Sequence, residues 1–80
     1  MKNKLIAITT TGEKYVSIIN VEAGRTREDQ LQENEEMHAA VGDMLKKDYN
    51  GFLSLGTENG KTTINIKNLV SFQTVILDDE

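Results

Sequence analysis

The dipeptide Asn59-Gly60 separates two segments, 51–58 and 61–66, that are rich in β-branched and aliphatic residues. A type I′ turn needs positive φ at both central residues, and Asn-Gly meets that demand at little steric cost. The implied register pairs Glu58 with Lys61, Leu55 with Ile64 and Leu53 with Ile66. It sets opposite charges across the strands and places four aliphatics on one face. This hairpin excludes an all-helical chain.

The N-terminal segment gives a second hairpin. Residues 4–11 and 15–21 read as strands around a Thr11-Gly12-Glu13 turn. A three-residue loop there puts Val16 opposite Ile8 and Ile18 opposite Ile6, which collects four aliphatics on a face expected to be buried. After Ala23-Gly24-Arg25, Thr26 and Asp29 match a capping box, so a helix is predicted to start there and run to Tyr49, with Asn50-Gly51 as its left-handed cap. Met37, Ala40, Val41, Met44 and Leu45 form its apolar stripe. Residues 27–36 carry only Leu31, and a helix of about 34 Å overhangs strands of about 17–20 Å. That stretch is expected to be a solvated arm, a contact to another subunit, or a loop. Gly42 is expected to permit close packing or a bend.

Residues 69–77 read as a fifth strand. Strict alternation puts Val70, Phe72 and Ile76 on one face and Leu69, Val75 and Leu77 on the other. A strand apolar on both sides is buried on both. Residues 78–80 are a charged tail expected to fray. The fold class expected is α+β with element order ββαβββ: a hairpin, one long helix and a three-stranded antiparallel meander. One sheet or a small, partly open barrel would result. The 80 residues amount to one domain.

A chain this short buries only about 60–65% of its unfolded surface and needs an added staple. Cysteine is absent, so disulfides and thiolate metal sites are excluded. Oligomerisation is the remaining common staple, and Leu31, Met37, Leu69, Val75 and Leu77 are the candidate contacts between copies. The net charge of −4 lacks the basic footprint of a general nucleic-acid binder. The apolar run 5–8 is too short for a signal-peptide core, and no run approaches membrane length, so a cytoplasmic protein is expected.

Chemistry-bearing patterns are sparse. His38 is the single histidine, and Glu35-x-x-His38 is only half of a di-iron helix motif. No nucleophile–base pair is visible and no cofactor motif is present, so an enzyme is not expected. Arg25, Thr26 and Arg27 lie at the predicted helix start, where unpaired N–H groups and the helix dipole favour an anion. With Lys14 they are the candidate anion site. The competing reading is a helix capped by the Thr26 side chain, with the arginines paired to Glu28, Asp29 or Glu22. The threonines at 9–11 and 62–63, near Lys14 and Lys61, read first as β-formers on a wet face and, as the alternative, as the lining of a polar pocket. Glu28, Asp29, Glu33, Glu35 and Glu36 put five carboxylates in nine residues, a surface able to imitate a phosphate backbone.

Two functions are therefore expected. The first is a non-enzymatic homo-oligomer, of the size and charge of phage or mobile-element accessory proteins, that holds a small anionic, nucleotide-like ligand between subunits. The alternative is an acidic inhibitor that covers a basic surface on a host protein through residues 28–36.

Overall fold

The structure, a computed structural model, describes residues 1–47, 50–57 and 60–78. The order is β1 (Lys2–Thr9), β2 (Lys14–Asn20), α1 (Arg27–Lys46), β3 (Phe52–Thr57), β4 (Gly60–Asn65), a 3₁₀ turn (Ile66–Asn68) and β5 (Leu69–Leu77). The chain is α+β, as its sequence predicts. The strands form two antiparallel sheets, β2-β1-β5 and β3-β4, rather than a C-terminal meander. The 3₁₀ turn is the physical reason. Asn65 caps it by accepting from Lys67 N at 3.0 Å, and Ile66 is buried. Thr10 N donates to Asn68 O at 2.8 Å. This bond anchors the turn to the first hairpin, so β5 leaves the β4 ladder and pairs with β1.

Both hairpin registers differ from expectation by one two-residue step. Ile6 pairs with Val16 and Ile8 with Lys14. The loop is three residues long, but it is Thr10-Thr11-Gly12. Gly12, at φ 82°, must occupy the left-handed position that ends the loop, which moves the turn one residue earlier. In the second hairpin, Leu53 pairs with Ile64, Leu55 with Thr62 and Thr57 with Gly60. Gly60 is therefore the first residue of β4, at φ 146°, instead of the second turn residue. The expected partner of Lys61, Glu58, lies outside the described residues. A two-residue shift preserves the side-chain faces while replacing every cross-strand partner.

The buried face of the first hairpin also differs from expectation. The core lies on the side of β1 that carries Leu5 and Ala7, where Val41, Leu55, Ile64, Ile66 and Leu69 converge. Tyr15, Met37, Met44, Leu53 and Phe72 pack at its margin. Ile6, Val16 and Ile18 lie on the opposite side, where no helix covers them. Leu69 was expected to share a face with Val75 and Leu77. Ile8 pairs with Ser71 but Thr9 pairs with Leu69, so Val70 is an extra residue in a bulge. The bulge turns Leu69 into the core and leaves Val70 exposed.

Thr26 caps α1 with both halves of the predicted box present: Asp29 N donates to Thr26 Oγ1 and Thr26 N to Asp29 Oδ2. The helix runs to Lys46 and is capped at Lys47, whose N–H donates to Asp43 O; the expected end at Tyr49 lies outside the described residues, and Gly51 is not left-handed. Residues 27–36 form neither loop nor free arm. Gln30 and Asn34 are 5% and 4% exposed, and Asn34 meets Asn3 of β1. His38 Nε2 lies 2.9 Å from Thr74 Oγ1, and its ring tilts against Phe72 at 5.1 Å. Polar contacts thus dock the N-terminal half of α1 onto its own sheet.

Candidate functional site

The corner between β2 and α1 holds three of the four residues expected to bind an anion. Each has another partner. Thr26 Oγ1 accepts from Asp29 N at the helix cap. Arg25 Nη2 lies 2.6 Å from Glu33 Oε2, and Arg27 Nη1 lies 2.7 Å from Asp78 Oδ1. Lys14 starts β2 and the corner follows its far end, about 20 Å away along the strand. An open hollow of about 610 Å³ does lie at the corner. Glu22, Asp29, Glu33 and Glu36 line it beside Arg25. Four carboxylates against one already paired guanidinium repel an anion. Thr26 caps the helix as the self-capped reading has it, but the arginines pair with Glu33 and Asp78 rather than with Glu22, Glu28 or Asp29.

The carboxylates of α1 divide by position. Asp29 serves the cap and Glu33 the Arg25 pair. Glu28, Glu35 and Glu36 are exposed and make no ion pair among the described residues. With Leu31, Gln32 and Ala39 they border one shallow strip on the outward side of the helix.

The threonine expectation is met in part. Thr9, Thr10, Thr11 and Thr63 line one hollow of about 310 Å³, together with Glu13, Tyr15 and Asn68. Thr62, Lys14 and Lys61 do not line it. Two of its hydroxyls are paired: Thr9 Oγ1 lies 3.0 Å from Thr11 Oγ1, which donates to Glu13 Oε1 at 3.2 Å. The Tyr15 hydroxyl donates to Glu13 Oε2, and this bond raises the phenol above its ordinary pKa of 10.0. Every buried side-chain polar atom among the described residues has a partner. No group of three His, Asp or Glu among them could hold a metal ion.

The feature that stands out is the outer face of the three-stranded sheet. Successive rows across β2, β1 and β5 read Lys14–Ile8–Ser71, Val16–Ile6–Gln73, Ile18–Lys4–Val75 and Asn20–Lys2–Leu77. Val16, Ile18, Val75 and Leu77 are 38%, 54%, 43% and 37% exposed. The face carries three lysines and no carboxylate. Lys4 stands between Ile18 and Val75 and makes no ion pair among the described residues. Of the residues expected at an interface between copies, Val75 and Leu77 lie here. Leu31 is exposed on the far side of α1, Met37 packs at the core margin, and Leu69 is interior. Of the aliphatics expected on a buried face, Ile6 is buried on the central strand, whereas Val16 and Ile18 are exposed and Lys4 stands beside them. The signal was present: Lys2 and Lys4 share strand parity with Ile6 and Ile8, so that face is open to water.

No family model, curated protein or solved structure matches the chain. No helix of the described residues is long and apolar enough to cross a membrane.

Proposed function

We propose that this protein is a non-enzymatic interaction module that assembles with copies of itself through the outer face of its three-stranded sheet. The observation that carries the reading is the exposure of Val16 and Ile18 on β2 and of Val75 and Leu77 on β5, all on one face of the sheet, with Ile6, Lys4 and Lys2 of β1 between them. Single exposed apolar residues are ordinary, but four exposed aliphatics gathered on one sheet face favour a contact surface. Covering a large aliphatic side chain is worth on the order of 1–2 kcal/mol. That is a large gain for a chain of 80 residues without a disulfide. The polar hollows offer less: Thr9, Thr11 and Glu13 bond one another in the threonine hollow, and Asp29 and Glu33 are engaged by Thr26 and Arg25 in the corner hollow.

Sedimentation velocity over a dilution series tests the reading. Wild-type protein is expected to sediment above its 8.9 kDa monomer mass and to fall toward it on dilution. Ile18→Gln/Val75→Gln is expected to remain monomeric with an unchanged circular dichroism spectrum. A wild type that is monomeric throughout contradicts the proposal, as does a variant that assembles like the wild type.

A second reading has one observation in its favour. The hollow lined by Glu22, Asp29, Glu33 and Glu36 suits a basic partner. On this reading the chain binds a basic probe such as oligolysine in a salt-sensitive manner, and Glu22→Lys/Glu36→Lys abolishes that binding. Retained binding by the variant contradicts it.

A further inference from the structure

The outer face of the sheet has a chemistry that limits what can cover it. Lys4 lies within the aliphatic band, with Lys2 beside it on β1 and Lys14 at one end. A second copy of the same face would bring lysines against lysines with no carboxylate between them. Burying such a set without counter-charges is costly. A suitable occupant is apolar along its centre and carries carboxylates at its flanks.

The same chain presents that surface. On the outward side of α1, Leu31 is 46% exposed, and Ala39 lies two turns further along. Glu28, Glu35 and Glu36 flank them and make no ion pair among the described residues. Positions 28, 31, 35 and 39 recur at spacings of three and four, so they share one helical stripe. Dimensions agree as well. The 20 residues of α1 span about 30 Å, and the nine residues of β5 span about the same. The inner face of the sheet already accommodates this helix, and the outer face has the same width.

We propose that the outer sheet face of one copy receives the outward face of α1 from the next, with Leu31 and Ala39 on the aliphatic band and Glu28, Glu35 and Glu36 toward Lys2, Lys4 and Lys14. The inference rests on the reading of the sheet face as an assembly surface and names its occupant. Such a contact is heterologous: each copy uses two different surfaces, and a row of copies grows until it closes into a ring or continues as a filament. Layers alternate helix, sheet, helix, sheet through the assembly.

Mixing two blocked variants provides the test. Ile18→Gln/Val75→Gln blocks the sheet face and leaves the helix intact. Glu35→Lys/Glu36→Lys blocks the helix face and leaves the sheet intact; both positions are exposed and away from the cap. Each variant alone is expected to sediment as a monomer. An equimolar mixture is expected to give a one-to-one dimer and nothing larger, because only one productive contact remains. Raising the salt concentration is expected to dissociate that dimer. Should the helix variant assemble like the wild type while the sheet variant does not, the occupant is another sheet face; this inference fails and the assembly surface stands. A mixture of two monomeric variants that stays monomeric overturns the inference as well. A monomeric wild type overturns both readings.

Discussion

The side-chain amides of Asn3 and Asn34 exchange two hydrogen bonds of 2.9 Å across the interface between β1 and α1. Gln30 Nε2 adds a third, at 3.1 Å, to the same Asn34 oxygen. All three residues are buried, so the first half of the helix is seated by polar complementarity where an aliphatic stripe would be expected.

That seating predicts an asymmetric response to mutation. Asn34→Ala strands two buried amides and is expected to cost about 2 kcal/mol in urea denaturation. Asn3→Leu/Gln30→Leu/Asn34→Leu removes every member of the network and is expected to lose less than the single substitution. A triple variant weaker than Asn34→Ala would show that the site demands amides for more than mutual satisfaction.

Two glycines are expected to respond with opposite sign. A Cβ at either Gly12 or Gly42 would meet no atom within 4 Å, so sterics do not separate them. Gly12 sits at φ 82°, and Gly12→Ala is expected to cost about 1–2 kcal/mol through backbone strain. Gly42 lies within α1, and Gly42→Ala is expected to stabilise the protein by about 1 kcal/mol. This open space also corrects the expectation that Gly42 permits close packing. Thermal melting of the two variants checks both signs.

Tyr15 gives the chain a pH signature. Its hydrogen bond to the Glu13 carboxylate raises the folded-state pKa above 10.0, which favours the neutral phenol. The resulting stabilisation is present below the unfolded pKa and is lost as pH rises through the raised folded value. In a Tyr49→Phe background, the tyrosinate absorbance of Glu13→Ala is expected to appear at lower pH than that of the parent. An unchanged titration contradicts the assignment of the shift to Glu13.

How much of this was legible in the sequence depends on the signal. The capping box at Thr26 and Asp29 was readable because it is local, and both its hydrogen bonds form. Strand existence was readable for the same reason. Registers were not, because a two-residue slip keeps the hydrophobic faces intact and only turn geometry decides it, as Gly12 does in the first hairpin. The burial of residues 30 and 34 was missed because they are amides. They continue the stripe of Met37, Val41 and Met44 backward at spacings of three and four, so the period was present and the polarity hid it. Leu69 was misplaced because a bulge at Val70 interrupts alternation, and nothing in 69–77 announces a bulge. The outer face reads as core because its aliphatics outnumber those of the true core face, yet of them only Ile6 is buried. Leu5, Ala7 and Ser17 pack inside because they leave room for α1 and the β3-β4 hairpin, and no charge shares their side.

The central claim is that Ile18 and Val75 lie against another copy when the protein assembles. Methyl NMR with a soluble paramagnetic nitroxide tests it directly. At low protein concentration both methyl sets are expected to broaden strongly, in keeping with their exposure of 54% and 43% in one chain. At high concentration they are expected to be protected, while the exposed Val70 methyls at the bulge broaden at both. Equal broadening of Ile18 and Val75 at low and high concentration would contradict the account.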